Sequence, residues 1–286
     1  MKKFLQLLAV VVIVAAAAWG VGRVPSTEQS VNESALDRIS KAGVLRCAYI
    51  VYPPETIKDP NTGKLSGVVV ETTEEVARLL GWKVNWVAEV GFQDMFEGFK
   101  TGRYDALCSG LYENPPRAKV SLFTIPFNYG ATYTFVRTDD TRFDDSLSAI
   151  NSPDVKIAQI DGEIGQAIAD ESFPKAGRYS LPNNSDISQV LESVATKKAD
   201  VAFLQIAPAQ GFIEHNPGKL KILRKTPARA FPAPLMALPH GEQDLKAALD
   251  AALRALQENG FVERILRKYD ANLDSYILVA KPYQTK

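Results

Sequence analysis

Apolar runs typical of buried strands alternate along most of the chain with segments that have one apolar face at helical spacing. The run from 44 to about 51 has the pattern of a strand and ends at two prolines. A helical pattern follows, with Val76 and Leu80 on its apolar face and Thr72 and Thr73 as its expected N-terminal caps. The next segment, KVNWVAEV, alternates as a strand does. This order predicts an α/β fold built on a parallel sheet.

The second half of the chain repeats the arrangement of the first. We expect a helix over 92–102, and the segments 95–110 and 190–205 then share a helix, a short turn, an Asp and a buried strand. The shared Asp is Asp105 in the first copy and Asp200 in the second. Two similar α/β units in one chain predict two lobes with a cleft between them.

Two strand-like segments, 124–140 and 228–241, lie where the chain would cross from one lobe to the other and back. A strongly helical region at 242–269 follows the second crossing, so both ends of the chain belong to the first lobe. The predicted organisation is a signal peptide or N-terminal membrane anchor at 1–24, a linker at 25–35, lobe 1 at 36–132 and 231–286, and lobe 2 at 133–230.

The first 24 residues have the pattern of a targeting segment. Lys2 and Lys3 precede an apolar stretch that begins at Phe4 and ends in four alanines, as in a secretory signal peptide. The apolar stretch can also be extended to Val24, which gives roughly 20 residues and is enough for an uncleaved membrane anchor. In both cases we expect the rest of the chain to lie on the outer side of a membrane.

Charge and cysteine usage narrow the function classes. The 33 Lys and Arg balance the 33 Asp and Glu, which argues against nucleic acid or an acidic membrane surface as a partner. His215 and His240 lie in polar, loop-like segments without metal-site spacing, and no nucleotide-binding or hydrolase motif is present, so we expect neither a metal nor a cofactor. Cys47 and Cys108 are either two buried thiols or, if their strands are neighbours, a disulfide.

Several segments, taken in their order and spacing, resemble one family. They are LRCAYIVYPP, GKLSGVVVET, FKTGRYDALCSG, NPPRAKVSLFTIPF, IAQIDGEIG and KKADVAFL, followed by the helical tail. Together they resemble the periplasmic solute-binding proteins of amino-acid ABC importers, bacterial extracellular solute-binding protein family 3. The resemblance implies an α/β, two-lobed type II periplasmic-binding-protein (Venus flytrap) fold with two crossover strands. It also implies a monomeric, non-enzymatic protein of the periplasm that captures a small carboxylate-bearing ligand for an ABC transporter permease in the inner membrane.

The same resemblance implies which residues contact the ligand. Arg117 matches the arginine that binds the ligand's carboxylate, and its planar guanidinium suits that group. Tyr52 and Phe92 match aromatic residues on opposite walls of the cleft. The full expected set is Tyr52, Phe92, Ser109, Gly110, Tyr112, Asn114, Arg117, Gly162, Glu163 and Gln205.

Three parts of the expected site depart from the amino-acid-binding pattern. Tyr112 and Asn114 replace the smaller Ser/Thr pair that precedes the arginine in the family. Gln205 stands where many such proteins place an acidic residue against the ligand's ammonium group, and Gly162-Glu163-Ile164 replaces the usual Gly-Thr-Thr. Glu163 either takes the ammonium itself or turns to solvent. A second hypothesis is therefore an enzyme like cyclohexadienyl dehydratase on the same fold, with Glu163 as general acid. A third is a membrane-anchored ligand-sensing module.

Overall fold

The computed structural model describes residues 33–223 and 229–280. The predicted targeting segment at 1–24 and most of the predicted linker at 25–35 therefore lie outside the described residues. Within those residues, no helix is both long enough and apolar enough to cross a membrane.

Strands and helices alternate along the described chain. The strands are β1 (Val44–Tyr49), β2 (Ile57–Lys58), β3 (Leu65–Ser66), β4 (Lys83–Glu89), β5 (Ala106–Cys108), β6 (Leu122–Phe123), β7 (Pro126–Arg137), β8 (Lys156–Ile160), β9 (Gly177–Leu181), β10 (Val201–Leu204), β11 (Leu220–Leu223), β12 (Arg229–Pro234), β13 (Met236–Leu238) and β14 (Tyr276–Ile277). The helices are α1 (Ala35–Ala42), α2 (Val68–Leu79), α3 (Glu97–Lys100), α4 (Pro115–Ala118), α5 (Ile164–Ser172), α6 (Ile187–Ala195), α7 (Ile206–His215), α8 (Gln243–Glu258) and α9 (Phe261–Tyr269), and a short 3₁₀ helix spans Leu147–Ile150.

Two separate sheets form the framework, and each belongs to one lobe. The first has the strand order β4-β1-β5-β13-β6, and the second has the order β11-β7-β10-β8-β9. Each sheet is mixed: β4, β1 and β5 run parallel, as do β10, β8 and β9, but β13 and β7 pair antiparallel to them. Besides the parallel strands that the sequence predicts, each sheet contains antiparallel strands, which the chain segments that return between the lobes add.

The two lobes are joined by the long strand β7 and by β12. These strands pair with each other, with Thr132 opposite Arg229 at one end and Pro126 opposite Pro234 at the other. The expected lobe boundaries at 132/133 and 230/231 fall inside these two strands. A short third strand, β14, also pairs with β7, at Gly130 and Tyr129. The connection between the lobes is thus a three-stranded antiparallel ribbon.

Apolar side chains cover both faces of each sheet, which explains why the strands read as apolar runs. In the first lobe, Leu45 and Cys47 of β1 pack with Val76 of α2 and Leu249 of α8. In the second lobe, one face packs against α5 and the other against α6, the latter through Val190, Leu191 and Val194. Cys47 and Cys108 form a disulfide between the neighbouring strands β1 and β5.

Two helices differ from the pattern-based expectation. Helix α2 begins at Val68, so Thr72 and Thr73 are buried inside it instead of capping it. The reason is Gly67, whose φ of 119° starts the helix early and whose missing side chain lets the backbone pass Glu55, where a Cβ would lie 2.5 Å from the Glu55 carbonyl oxygen. The helix expected over 92–102 shortens to α3, and Phe92, outside this helix, both packs on the core and lines the cleft.

Candidate functional site

A cavity of about 50 Å³ lies where the two lobes meet. Eight of the ten expected residues line it: Tyr52, Phe92, Ser109, Gly110, Tyr112, Arg117, Glu163 and Gln205. The other two, Asn114 and Gly162, line a wider cleft of about 500 Å³ that shares Tyr112, Arg117 and Glu163 with the cavity. The lobes lie close together here, because Arg117 of the first lobe hydrogen-bonds the Gly162 carbonyl of the second.

Arg117 reaches from the first lobe to the second. It lies on α4, where the Asn114 side chain accepts the Arg117 backbone N–H at 2.9 Å and proline occupies the first turn. Its Nη1 donates to the Tyr112 carbonyl and its Nη2 donates to the Gly162 carbonyl, both at 2.8 Å. The guanidinium also lies 4.1 Å from the centre of the Tyr112 ring. A buried cation thus spans the cleft and is held by backbone carbonyls and an aromatic face.

Glu163 lies on the second lobe, opposite Arg117. Its side chain caps α5 by accepting the Gly165 N–H at 2.7 Å, and its other oxygen accepts the Tyr52 hydroxyl at 3.4 Å. The side chain is buried, so it does not turn to solvent. Burial raises the pKa of Glu163 to about 7, although the backbone N–H groups and the charge of Arg117 act in the opposite direction.

The remaining predicted residues have mainly structural contacts. Ser109 Oγ accepts the Ile50 N–H at 2.8 Å, and Gly110 has a φ of 59° while its N–H donates to Leu235. Gln205 is buried just before α7, and its amide donates to the Ser275 carbonyl at 3.5 Å. Tyr52 and Phe92, expected on opposite walls, instead meet edge to face with ring centroids 6.1 Å apart. Contact between the two rings closes that side of the cavity.

The sequence analysis missed one acidic residue in the cavity wall, Glu55. Its Oε1 accepts the Tyr276 hydroxyl at 2.8 Å, whereas its Oε2 is buried without a hydrogen-bond partner among the described residues. Burial raises the pKa of Glu55 to about 7, and the bond from Tyr276 partly opposes this rise. The available signal was an acidic residue directly after the Pro-Pro that ends β1. The other lining residues outside the expected set are apolar: Ile50, Leu111, Ile164 and Phe231.

The segment after α9, to which the sequence analysis assigned no role, also reaches the site. Ser275 Oγ accepts the Ala207 N–H at 2.6 Å at the start of α7, and the Ser275 carbonyl accepts the Ala131 N–H of β7 at 2.9 Å. The next residue, Tyr276, donates to Glu55. This segment therefore connects the ribbon between the lobes to both walls of the cavity.

In the ranges 33–223 and 229–280, no group of three or more His, Cys, Asp or Glu side chains could hold a metal ion. The polar chemistry of the site is that of one guanidinium and two carboxyl groups.

Two mixed sheets, an interlobe ribbon and a cleft lined from both lobes define a two-lobed binding protein of the type II periplasmic class. Residues 45–272 match the family of bacterial extracellular solute-binding proteins, family 3. The match covers most of the chain, and the protein belongs to this family.

The similarities to individual proteins are more distant. A probable amino-acid ABC transporter-binding protein of Haemophilus influenzae is 27% identical over 241 residues, which cover 80% of this chain and 85% of the relative. The cyclohexadienyl dehydratase of Pseudomonas aeruginosa is 29% identical over 178 residues, 62% of this chain and 64% of the enzyme. The crystal structure of an ancestral amino acid-binding protein, a precursor of cyclohexadienyl dehydratase, has a TM-score of 0.71 at 24% identity and covers 82% of this chain and 99% of that one. This last likeness concerns the fold.

Proposed function

We propose that this protein captures a small carboxylate-bearing ligand, an amino acid or a related organic acid, in the interlobe cleft for an ABC importer. The observation that carries the proposal is Arg117, a buried guanidinium that faces both lobes at the cavity. Amino-acid ABC transport is the role named for the Haemophilus influenzae relative. The periplasm, an inner-membrane permease as partner and a monomeric state complete the proposal.

The proposed mechanism is capture by closure of the lobes. The Arg117 Nη2 donates to the Gly162 carbonyl of the second lobe. When the lobes are apart, a ligand carboxylate would bind the Arg117 guanidinium on the first lobe. As the lobes close, Glu163 and Gln205 of the second lobe would approach the ligand. Bending of β7 and β12 would allow the motion. Closure follows binding only if the ligand contacts both lobes.

A dehydratase remains the second candidate, and one observation favours it. Glu163 is a buried carboxyl whose pKa is raised to about 7, beside Arg117 and Tyr52. A carboxylic acid that stays protonated near neutral pH can donate a proton to a leaving hydroxyl group. The likeness to the Pseudomonas aeruginosa enzyme points to the same chemistry.

Thermal unfolding in the presence of candidate ligands tests the proposal. The purified protein would be screened against the twenty L-amino acids, their des-amino acids, aromatic carboxylic acids and polyamines, since a ligand that binds only the folded state raises the Tm. We expect a carboxylate to raise the Tm of the wild type but not that of Arg117→Ala. Glu113→Gln, an exposed position on the same turn, is the matched control and should respond like the wild type.

The dehydratase candidate needs a different readout. Prephenate and arogenate would be incubated with wild type and with Glu163→Gln. Loss of the ring hydroxyl as water together with the ring carboxylate as carbon dioxide makes the ring aromatic, and absorbance of this product would follow the reaction. Turnover that disappears in Glu163→Gln would establish the enzyme and contradict the binding proposal. Binding without turnover would leave the solute-binding function standing.

A further inference from the structure

We propose that Glu55 is the acceptor for an ammonium group of the ligand, which narrows the ligand class to carboxylates that also carry an amine. The inference rests on the proposed function, because it concerns the same cavity. It assigns the recognition of positive charge to the first lobe, at the end of β1, and not to the second-lobe positions Glu163 and Gln205.

The first argument is the free acceptor. Glu55 is 8% exposed, it lines the cavity, and its Oε2 has no hydrogen-bond partner within the described part of the chain. An unpaired carboxylate oxygen in a buried position is costly, so such a group normally has a partner. A ligand ammonium would supply both the hydrogen bond and the opposite charge.

The second argument is that the carboxyl group is held in place. The Tyr276 hydroxyl fixes Oε1 at 2.8 Å and leaves Oε2 as the remaining acceptor. The Glu55 carbonyl accepts the Val69 N–H at 2.9 Å in the first turn of α2, a contact that the absent side chain of Gly67 permits. Because both its side chain and its backbone are held by hydrogen bonds, Glu55 loses little conformational freedom when it binds a ligand.

The third argument is the contrast with Glu163. Both oxygens of Glu163 already have donors from the protein, the Gly165 N–H and the Tyr52 hydroxyl. Gln205 is a neutral amide that cannot balance a cation. With Arg117 available for a carboxylate, Glu55 is the acidic group of the cavity wall that retains an unused oxygen.

Two sets of three compounds test the inference. L-Leucine is compared with 4-methylpentanoate, which lacks the amine, and with 3-methylbutylamine, which lacks the carboxylate. L-Phenylalanine is compared in the same way with 3-phenylpropanoate and 2-phenylethylamine. Dissociation constants are measured by calorimetry for the wild type, Glu55→Gln, Glu163→Gln and Arg117→Ala, with Glu113→Gln as a control at an exposed position.

We expect the wild type to bind at least one of the two amino acids about tenfold or more tightly than its des-amino partner. Glu55→Gln should remove that preference while affinity for the des-amino acid stays within about threefold. Glu163→Gln should keep most of the preference. If Glu55→Gln keeps it, if Glu163→Gln abolishes it, or if neither amino acid is preferred over its des-amino partner, the inference is overturned.

The design separates this inference from the proposed function. If carboxylates bind, depend on Arg117 and show no preference for the amine, the solute-binding proposal stands and the role of Glu55 falls. If the amines without a carboxylate bind in a Glu55-dependent way and Arg117→Ala changes nothing, the carboxylate proposal falls and the role of Glu55 stands.

A second measurement does not depend on the stability of Glu55→Gln. Binding of an ammonium group to Glu55 favours the ionised carboxylate, so binding near pH 6 should release protons, which calorimetry in buffers of different ionisation enthalpy detects. The titratable or charged groups around Glu55 are Tyr276 and Tyr52, with Arg117 and Glu163 also in the cavity wall. Glu163→Gln should retain the proton release. Absence of release with every amine that binds would overturn the inference.

Discussion

Asp105 and Asp200 occupy equivalent places in the two lobes, but the arginines that hold them are arranged differently. Asp105 precedes β5 and accepts the Arg46 N–H of β1 at 2.9 Å, and Asp200 precedes β10 and accepts the Lys156 N–H of β8 at 2.9 Å. Asp105 binds Arg38 and Arg46, at 2.6 and 2.7 Å. The repeated element of the sequence is thus a repeated connection between neighbouring strands.

The second lobe shares its arginines between two carboxylates. Arg137 contacts Asp140 and Asp200, both at 3.1 Å, and Arg142 contacts the same pair at 2.7 and 2.6 Å. Loss of Asp200 would leave Asp140 as a partner for both arginines. The cleft walls differ as well. The first lobe presents Arg117 and a Glu55 oxygen that has no partner within 33–223 and 229–280, whereas Glu163 of the second lobe accepts the Gly165 N–H and the Tyr52 hydroxyl. The two lobes therefore share the same strand connection but differ in the number of carboxylates that hold their arginines and in the polar groups that they present to the cleft.

The largest expected effect is on ligand affinity, and it compares the cleft walls of the two lobes. Arg117→Ala should weaken binding of the carboxylate found in the ligand screen by about 2–5 kcal/mol, since it removes one member of a desolvated charge pair. Gln205→Ala, on the second lobe, should cost about 1 kcal/mol, as for a neutral hydrogen bond. Calorimetric titration of both variants measures the difference. Equal losses would show that the second lobe contributes as much to binding as the first.

The next largest effect is on stability, through the equivalent aspartates Asp105 and Asp200 of the two lobes. Asp105→Ala should lower the free energy of unfolding by about 3 kcal/mol, because the Arg46 N–H and the guanidinium groups of Arg38 and Arg46 lose a carboxylate that is itself buried. Asp200→Ala should lower it by about 1 kcal/mol, because Asp140 remains. Urea unfolding of both variants at pH 7 provides the comparison. A larger loss for Asp200→Ala would contradict the redundancy of the second lobe.

Stability should also depend on pH through the two cleft carboxyls, one from each lobe. Glu55 and Glu163 have pKa values of about 7 in the folded protein against an ordinary value of 4.5, so the folded state binds more protons between these limits. The free energy of unfolding therefore falls as the pH rises from about 4.5 to about 7, by roughly 1–3 kcal/mol for each group.

Glu55→Gln and Glu163→Gln should each reduce that fall, and denaturant titrations at pH 5, 6, 7 and 8 would measure it. Asp105 and Asp200 change the free energy of unfolding with pH in the opposite direction. Burial opposes their ionisation, but hydrogen bonds from arginine side chains and backbone N–H groups outweigh it and lower both pKa values, so their contribution is lost only in more acidic solution. An unchanged slope in both Gln variants would contradict the raised pKa values.

The smallest expected effect compares two caps. Asn114→Ala removes the cap of the short helix that carries Arg117 and should cost about 1 kcal/mol of stability together with a measurable loss of ligand affinity. Ser146→Ala removes the cap of the 3₁₀ helix in the second lobe, where the Ser146 side chain accepts the Ser148 N–H at 3.1 Å. It should cost a similar or smaller amount of stability and leave affinity unchanged. Equal affinity in both variants would argue against a positioning role for Asn114.

Local pattern was sufficient for most of the elements. Apolar runs and helical faces predicted β1, β4, α8 and α9 closely, because their side chains contact a core on a repeating geometry that the sequence displays directly. Local pattern was insufficient where a contact with a distant segment sets the backbone conformation. Helix α2 begins early because Gly67 passes the Glu55 carbonyl, and the helix expected over 92–102 shortens to α3 and leaves Phe92 in the wall of the cleft.

The candidate site divides in the same way. The resemblance to a known family nominated Arg117 and Glu163, and the structure brings both to one cavity. Glu55 and Tyr276 could not be paired in advance, because they lie 221 residues apart and meet only when β14 joins the ribbon between the lobes. Apolar periodicity and the order of the motifs are local properties of the chain, and they were enough to predict most strands and helices and to nominate Arg117 and Glu163, but not Glu55. Which carboxylate oxygen lacks a partner among the described residues emerged only from the folded chain, because it depends on donors that folding brings in from distant segments.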